Sequence, residues 1–196
     1  MLRRLLSALL AATGPRMRYG MRSGDGTWRA HSRISTSTAI DSPERLVLAD
    51  HVFIGHHNVI DASGGLVIGE GVQITNCVSV LTHSSHRALR LKRERYWGHA
   101  DPSGQQRAAT SIGEWTFIGP HCTVAPGAHI GCGVIVRAHS YVRGEVPDFA
   151  IVQGQPARVV GDVRDGDRAW LQAHEPADRE RYNSWVREVQ TRATPR

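Results

Sequence analysis

Aliphatic side chains recur at every sixth position along much of the chain. The step is eight residues before Leu48 and again before Ile68, which we interpret as two-residue bulges at the same corner. The series stops after Val80 and continues from Ile112 without a slip. All fourteen positions are Ile, Leu or Val: Ile34, Ile40, Leu48, Ile54, Ile60, Ile68, Ile74, Val80, Ile112, Ile118, Val124, Ile130, Val136 and Val142.

The positions between the aliphatic residues follow the same period. The next residue is often Gly or Ala, and the residue four places on is small or β-branched. Even spacing places the aliphatic residue and the fourth residue on one face of a strand, whereas a helix needs apolar residues three and four apart. Each hexad therefore predicts a short strand followed by a turn.

Stacked units of this kind form an all-β solenoid, and three hexads per coil make a triangular prism of about five coils between Ile34 and Val142. The period predicts a parallel β-helix, but it does not give the handedness of the winding.

The repeat divides the chain into three parts. Residues 1–33 are an N-terminal extension that we expect to be helical, packed on the body or touching a membrane surface. Residues 34–161 are the repeat, with a long excursion at 84–111, and long loops inside compact repeats are usually functional or disordered. Residues 162–196 are expected to form a helical cap on the open end of the prism. Its apolar positions have helical spacing: Tyr182, Trp185, Val186 and Val189.

Composition adds little to this picture. The formal net charge of +6 suits anionic ligands. The excursion is basic and contains Tyr96 and Trp97, which suits a sugar as well as single-stranded nucleic acid, and one loop is thin support for nucleic acid. The three cysteines, at 77, 122 and 132, form no paired motif. We therefore expect a cytoplasmic protein that does not bind nucleic acid.

The hexads IGEWTF, IGPHCT, VAPGAH, IGCGVI and VRAHSY, followed by IVQGQPARVVG, resemble the carboxy-terminal half of maltose and galactoside O-acetyltransferases and of related polysaccharide-modifying enzymes. The resemblance is good from Ile112 to Gly161 and looser from Ile34 to His86. It implies a left-handed parallel β-helix, acetyl-CoA as acyl donor and a hydroxyl of a sugar or polysaccharide precursor as acceptor. It also implies a homotrimer with sites between neighbouring prisms.

The resemblance further implies a histidine general base at the start of the excursion. Counting from Val80, the equivalent position is Ser85. A one-residue insertion brings His86 into place, so we prefer His86, with His83 as the alternative. A histidine suits this role because it takes and returns a proton near neutral pH.

Further residues are assigned by the same resemblance. The backbone N–H of Ala138 and the side chains of Arg143 and Arg158 are expected to contact coenzyme A, while Pro120 lacks the N–H that relatives often offer near the thioester. On the acceptor side the candidates are Asn58 and Asp61. An asparagine ladder between coils is an equally good explanation for Asn58.

Three other functions remain open. In the first, the protein is an acetyltransferase whose acceptor is an amino sugar or an antibiotic. The second is a γ-type carbonic-anhydrase-like metalloenzyme, for which His51 and His56 have the right spacing but a third histidine in register is missing, so no metal is expected. The third is a non-catalytic hexapeptide-repeat scaffold.

Overall fold

The computed structural model describes residues 3, 4, 7, 13–96 and 104–193. Within these residues, two longer strands near the N-terminus are followed, up to the excursion, by strands of two or three residues, as the hexads predict. They are β1 (Met17–Arg22), β2 (Trp28–Ser35), β3 (Ala39–Asp41), β4 (Leu46–Leu48), β5 (Phe53–Ile54), β6 (Val59–Asp61), β7 (Leu66–Ile68), β8 (Gln73–Ile74) and β9 (Ser79–Val80).

The excursion and the second half of the repeat continue the numbering. The excursion contains β10 (His83–Ser84), helix α1 (His86–Lys92) and β11 (Gln106–Arg107). The later strands are β12 (Thr110–Ile112), β13 (Phe117–Ile118), β14 (Thr123–Val124), β15 (His129–Ile130), β16 (Ile135–Val136), β17 (Tyr141–Val142), β18 (Glu145–Val146), β19 (Ala150–Gly154) and β20 (Ala157–Asp162). Helices α2 (Val163–Ala173) and α3 (Arg179–Ala193) end the described chain.

Successive strands visit three sheets in turn. The first sheet has the order β1-β2-β5-β8-β13-β16-β19-β20, the second β17-β14-β9-β6-β3, and the third β18-β15-β12-β7-β4. Neighbouring strands from β2 to β19 within these sheets pair in parallel. The excursion leaves after β9 in the second sheet, and the chain returns at β12 in the third. The insertion therefore lies at one corner and leaves the order of the sheets unchanged.

The aliphatic series forms the core. Its members lie in register from strand to strand, as Ile54, Ile74 and Ile118 do in the first sheet. Twelve of the fourteen positions are buried, and Ile34 and Ile40, near the first coil, pack against the core while partly buried. The prediction that each hexad turns its aliphatic residue inward is confirmed.

The described residues 3, 4, 7 and 13 of the N-terminal extension are helical, as expected, whereas residues 17–33 are not. β1 and β2 form an antiparallel hairpin on the edge of the first sheet. Asp25 accepts a hydrogen bond from the Thr27 amide in the turn, and Gly26 has a φ of +84°. Asp-Gly is a strong hairpin signal, and it explains why residues 17–33 depart from the helical expectation. Most of residues 1–12, where membrane contact was expected, lies outside the described residues.

The C-terminal helix forms where its apolar spacing predicts, but its contacts lie on the side of the coils rather than across the open end. Val186 and Val189 pack with Phe149, next to the partly buried Ile135 and Ile151. Ile135 and Ile151 alternate with the inward-facing valines of β16 and β19, so they point outward. These outward apolar side chains make the side of the prism the surface that the helix covers.

Among the described residues, no helix combines the length and the apolar composition that crossing a bilayer requires.

Candidate active site

The excursion begins with a two-stranded ribbon. β10 and β11 pair antiparallel, with His83 opposite Arg107. Helix α1 follows, and its Ala88 is fully buried. The ribbon fixes the backbone at His83 directly beside the corner between the second and third sheets.

Asp61 lies at the same corner, one coil earlier, and its carboxylate contacts His83. Its Oδ2 accepts hydrogen bonds from the Thr82 amide at 2.8 Å, the Thr82 hydroxyl at 3.0 Å and the His83 amide at 3.0 Å. The same oxygen is 2.7 Å from His83 Nδ1. The Asp61 side chain is 2% exposed and that of His83 is 35% exposed. The buried carboxylate therefore holds a partly exposed imidazole.

The surroundings of Asp61 favour its ionised form. Burial opposes ionisation, but the hydrogen bonds from Ser63, Thr82 and His83 outweigh it and hold the pKa of Asp61 well below the usual range of an aspartate. A carboxylate on Nδ1 favours the tautomer with a proton on that nitrogen. The other ring nitrogen, Nε2, is then an acceptor available to a substrate hydroxyl.

His86 has different surroundings. It is the first residue of α1, it is exposed, and its Nδ1 lies 2.7 Å from the Ser84 hydroxyl. A hydroxyl orients the ring less strongly than a buried carboxylate, because the interaction carries no formal charge. The structure thus joins Asp61 to His83 and leaves His86 without an acidic partner in the described residues.

Ser63 and Thr82 are site residues that the sequence analysis missed. The Ser63 amide donates to Asp61 Oδ1 at 2.9 Å, and the Ser63 hydroxyl lies 2.9 Å from His83 Nδ1. The signal for Ser63 was available, because Asp-x-Ser at a corner is typical of an Asx turn. Asp61 itself was expected to bind the acceptor, yet its oxygens are occupied by protein donors.

Asn58 is likewise occupied. Its Nδ2 donates to the Thr75 carbonyl at 2.7 Å, and its Oδ1 accepts from the Val78 amide at 2.7 Å. The side chain is buried, with the residue 1% exposed. Asn58 thus forms hydrogen bonds with the backbone of the next coil, as the asparagine-ladder explanation predicts. Its side chain does not face an acceptor.

The expected donor-binding residues lie on the later coils. Ala138 is exposed, and its amide makes no hydrogen bond to any described residue. Arg143 lines a cleft of about 440 Å³ together with five polar or aromatic residues and one proline: His121, Thr123, Ser140, Tyr141, Gln155 and Pro156. Arg158 is exposed on β20, outside this lining. The structure therefore brings Arg143 to the cleft and leaves Arg158 on β20, outside its lining.

Two aromatic residues of the excursion were expected to stack on a sugar or to anchor the loop. The Tyr96 hydroxyl accepts a hydrogen bond from the Gln105 side chain at 3.1 Å, which ties the two arms of the excursion together. Trp97 lies outside the described residues.

Cys122 is buried and poorly suited to act as a nucleophile. Burial raises the pKa of the Cys122 thiol, which favours the unreactive protonated form. Its Sγ donates to the Arg137 carbonyl at 3.1 Å. Cys122 is a packing residue at its inward position, as its place in the hexad predicts.

The histidines considered for a carbonic-anhydrase-like site are separated. His56 Nδ1 lies 2.7 Å from the Ser35 hydroxyl, whereas the His51 ring stacks on that of His31. Within the described residues, the one cluster of three metal-ligating groups excludes His56. The three histidine ligands that a γ-type carbonic anhydrase needs are therefore not brought together by the described residues of one chain.

No family model matches the chain. Among curated proteins, it is 26% identical over 138 residues to WbbJ of Escherichia coli (strain K12), whose name describes an O-acetyl transferase of lipopolysaccharide biosynthesis; the match covers 65% of this chain and 66% of that protein. It is 30% identical over 105 residues to galactoside O-acetyltransferase of the same organism, with 53% and 47% covered. A serine acetyltransferase of Buchnera aphidicola is 32% identical over 132 residues, with 67% and 42% covered. The chain thus spans between two fifths and two thirds of these relatives.

Solved structures show the same fold. The crystal structure of AntD, an N-acyltransferase from Bacillus cereus in complex with dTDP and 3-hydroxybutyryl-CoA, has a TM-score of 0.56 and 18% identity and covers 73% of this chain and 88% of that chain. A hexapeptide-repeat acetyltransferase of Vibrio cholerae complexed with acetyl coenzyme A has a TM-score of 0.54 and 24% identity, with 64% of each chain covered. The resemblance to hexapeptide-repeat acyltransferases is therefore confirmed.

Proposed function

We propose that this chain is an acetyl-CoA-dependent O-acyltransferase that transfers the acyl group directly to a hydroxyl of a sugar or polysaccharide precursor. The observation that carries the proposal is the contact between His83 and the buried Asp61 at the start of the excursion. The pair supplies an oriented general base, and acyl transfer to a hydroxyl requires one. The sugar-modifying relatives named above support the class of acceptor.

His83 rather than His86 acts as the base in this proposal. Nε2 of His83 takes the proton from the acceptor hydroxyl while the hydroxyl oxygen attacks the thioester carbonyl carbon. The tetrahedral intermediate then collapses, the carbon–sulfur bond breaks, and the imidazolium returns its proton to the leaving thiolate. Ionised Asp61 stabilises the imidazolium between these steps through Nδ1. No covalent acyl-enzyme forms, so a cysteine nucleophile is not needed.

The acyl donor is assigned to the later coils. The amide of Ala138, which has no hydrogen-bond partner among the described residues, is a donor for a carbonyl of the pantetheine arm, and Arg143 lines the cleft. Arg158 on β20 supplies a positive charge for phosphate, since a guanidinium offers a fixed fork of donors. The Pro120 ring donates no N–H, so an oxyanion contact comes from another group.

The proposal includes the finer features of the architecture. We propose a left-handed winding of about five coils, on the strength of the three-sheet order and the solved neighbours. We also propose a homotrimer, in which His83 of one prism faces the donor cleft of the next. A cytoplasmic location fits the three free cysteines.

The test is turnover. Purified protein is incubated with acetyl-CoA and a panel of sugars, oligosaccharides, an amino sugar and L-serine, and release of free thiol is followed together with product mass. We expect acyl transfer to a sugar hydroxyl. The amino sugar and serine are included because AntD is an N-acyltransferase and several relatives are serine acetyltransferases. Preferred acylation of the amine, or of serine, would replace the acceptor in this proposal.

Donor binding is tested separately by calorimetry with coenzyme A. Arg158→Ala should weaken binding while the fold is retained, because a charge-assisted contact is lost. If the wild-type protein binds neither coenzyme A nor acetyl-CoA, the scaffold explanation stands instead.

A further inference from the structure

Two histidines and an aspartate meet on the outer edge of the coil nearest the N-terminus. His31 lies on β2, and Asp50 and His51 lie at the corner that precedes β5. The two imidazole rings are stacked, with centroids 4.8 Å apart and planes 11° from parallel. This cluster is on a different corner from the His83–Asp61 pair, and the acyl-transfer proposal does not use it.

The carboxylate of Asp50 is held by the backbone. Its Oδ1 accepts hydrogen bonds from the amides of His31 and His51, each at 2.9 Å, and from the Ser32 hydroxyl at 3.2 Å. Its Oδ2 faces His31 Nδ1 at 2.9 Å. One carboxylate oxygen is thus fixed by protein donors, and the other points to the stacked rings.

The three groups are spaced for a shared metal ion. A ligand atom from each of them lies within 4.8 Å of the others. Bonds of about 2.0–2.2 Å to nitrogen and oxygen place two ligands at right angles roughly 3 Å apart, which is the separation of His31 Nδ1 and Asp50 Oδ2. Because nearly parallel rings do not aim their nitrogens at one point, the His51 ring turns about its side-chain torsions to close the set.

We propose that His31, Asp50 and His51 form a binding site for a divalent transition-metal ion of the zinc, nickel and copper group. Two imidazoles and one carboxylate are ligands that suit these ions and not Mg²⁺ or Ca²⁺, which take oxygen ligands. The His31 side chain is 67% exposed and that of Asp50 is 26% exposed, so an ion reaches the site and water completes its coordination.

A metal at this place joins the N-terminal hairpin to the first coil. β2 carries one ligand, and the corner before β5, its parallel neighbour, carries the other two. Ile34, near this end, is only partly buried. The ion therefore cross-links an end of the solenoid where the apolar core is thinnest, and its binding raises stability because it requires the folded arrangement.

The chain supplies a matched control. His121 and His139 form a second stack with the same 4.8 Å separation and planes 4° from parallel. That stack belongs to no cluster of three metal-ligating groups among residues 13–96 and 104–193. Removing a ring from it tests whether stacked histidines alone bind the ion.

The experiment is equilibrium dialysis of the full chain against Zn²⁺, with Ni²⁺ as a second probe and Mg²⁺ as a negative control. We expect one Zn²⁺ to bind per chain at micromolar concentration. His31→Ala and His51→Ala should each weaken binding by at least roughly tenfold, whereas His139→Ala should retain it. Zn²⁺ should raise the Tm of the wild-type protein and of the His139 variant, but not of the other two.

Circular dichroism shows whether each variant is folded, and the Co²⁺-substituted wild-type protein should have an absorption band that His51→Ala lacks. The proposal is overturned if the wild-type chain binds no Zn²⁺ at micromolar concentration, or if the His139 and His51 variants lose the ion equally. Acyl-transfer activity plays no part in the readout.

Discussion

The imidazoles of His83 and His86 are three residues apart and differ in their partners. If His83 is the base, His83→Ala should lower kcat by about a hundred- to ten-thousandfold, because general-base catalysis acts in the transition state. Affinity for acetyl-CoA should change little. His86→Ala serves as the matched control and should retain most activity. Steady-state kinetics and donor calorimetry provide the measurements, and an inactive His86 variant beside an active His83 variant would reverse the assignment.

The pH dependence of stability reports on Asp61. Its pKa in the folded protein lies below the value of about 3.9 for an unperturbed aspartate, so the unfolded chain binds the proton more tightly. Its contribution to stability is therefore complete above roughly pH 5 and declines as the pH falls through the folded pKa. Denaturant unfolding should show Asp61→Asn less stable than wild type at neutral pH, with the difference narrowing below about pH 4. A constant difference would contradict the role of the charge.

The Asp61–His83 contact shows what counting along the chain missed. Ile60 pairs with Val80 in the second sheet, so the third residue after each, Ser63 and His83, reaches the same corner. His86 lies three residues beyond that corner and begins a helix. The alignment with relatives placed His86 at the base position only by assuming a one-residue insertion. The strand pairing between coils does not require that insertion. Backbone pairing fixes the register, and the register places His83 rather than His86 beside Asp61.

At the scale of the element, successive coils approach so closely that several corners have room only for glycine, and Gly113 is one of them. A Cβ on Gly113 would lie 2.5 Å from the carbonyl carbon of Gly131. Gly113→Ala should therefore destabilise the protein by about 1–3 kcal/mol, as overpacking does. Gly166→Ala is the control, because Gly166 lies inside α2 with nothing within 4 Å of an added Cβ. That variant should gain about 0.4–1 kcal/mol. Chemical denaturation measures both; an unchanged Gly113 variant would mean that the coils separate freely.

The elements were predictable to different degrees. The hexads predicted the short strands and the inward positions, because each aliphatic residue must meet its counterpart on the next coil. The helix around Trp185 was also predictable from its spacing. The position of this helix was not predictable, because the sequence indicates only that Ile135 and Ile151 point outward from their strands and does not show that a helix covers them. The hairpin at 17–35 was not predicted, because Asp25-Gly26 was not interpreted as a hairpin turn.

At the scale of the whole molecule, we propose that the site is shared between neighbouring chains of a homotrimer. His83 is partly exposed, and the donor cleft lies on the later coils. We expect light scattering after gel filtration to give three times the mass of one 21.6 kDa chain. Dilution that dissociates the trimer should abolish turnover together with assembly. A stable monomer with full activity would overturn both the trimer and the shared site.

The excursion joins the repeat at one corner, and the stacking on either side of it continues in the same order of sheets. The order of the sheets therefore does not depend on the length of this segment. During evolution, the part of the excursion beyond His83 can be lengthened or shortened while the later coils, with their cleft, remain as they are. In the function that we propose, acceptor preference can diverge by changes in this one insertion, without a matching change in the part of the protein that we assign to the acyl donor.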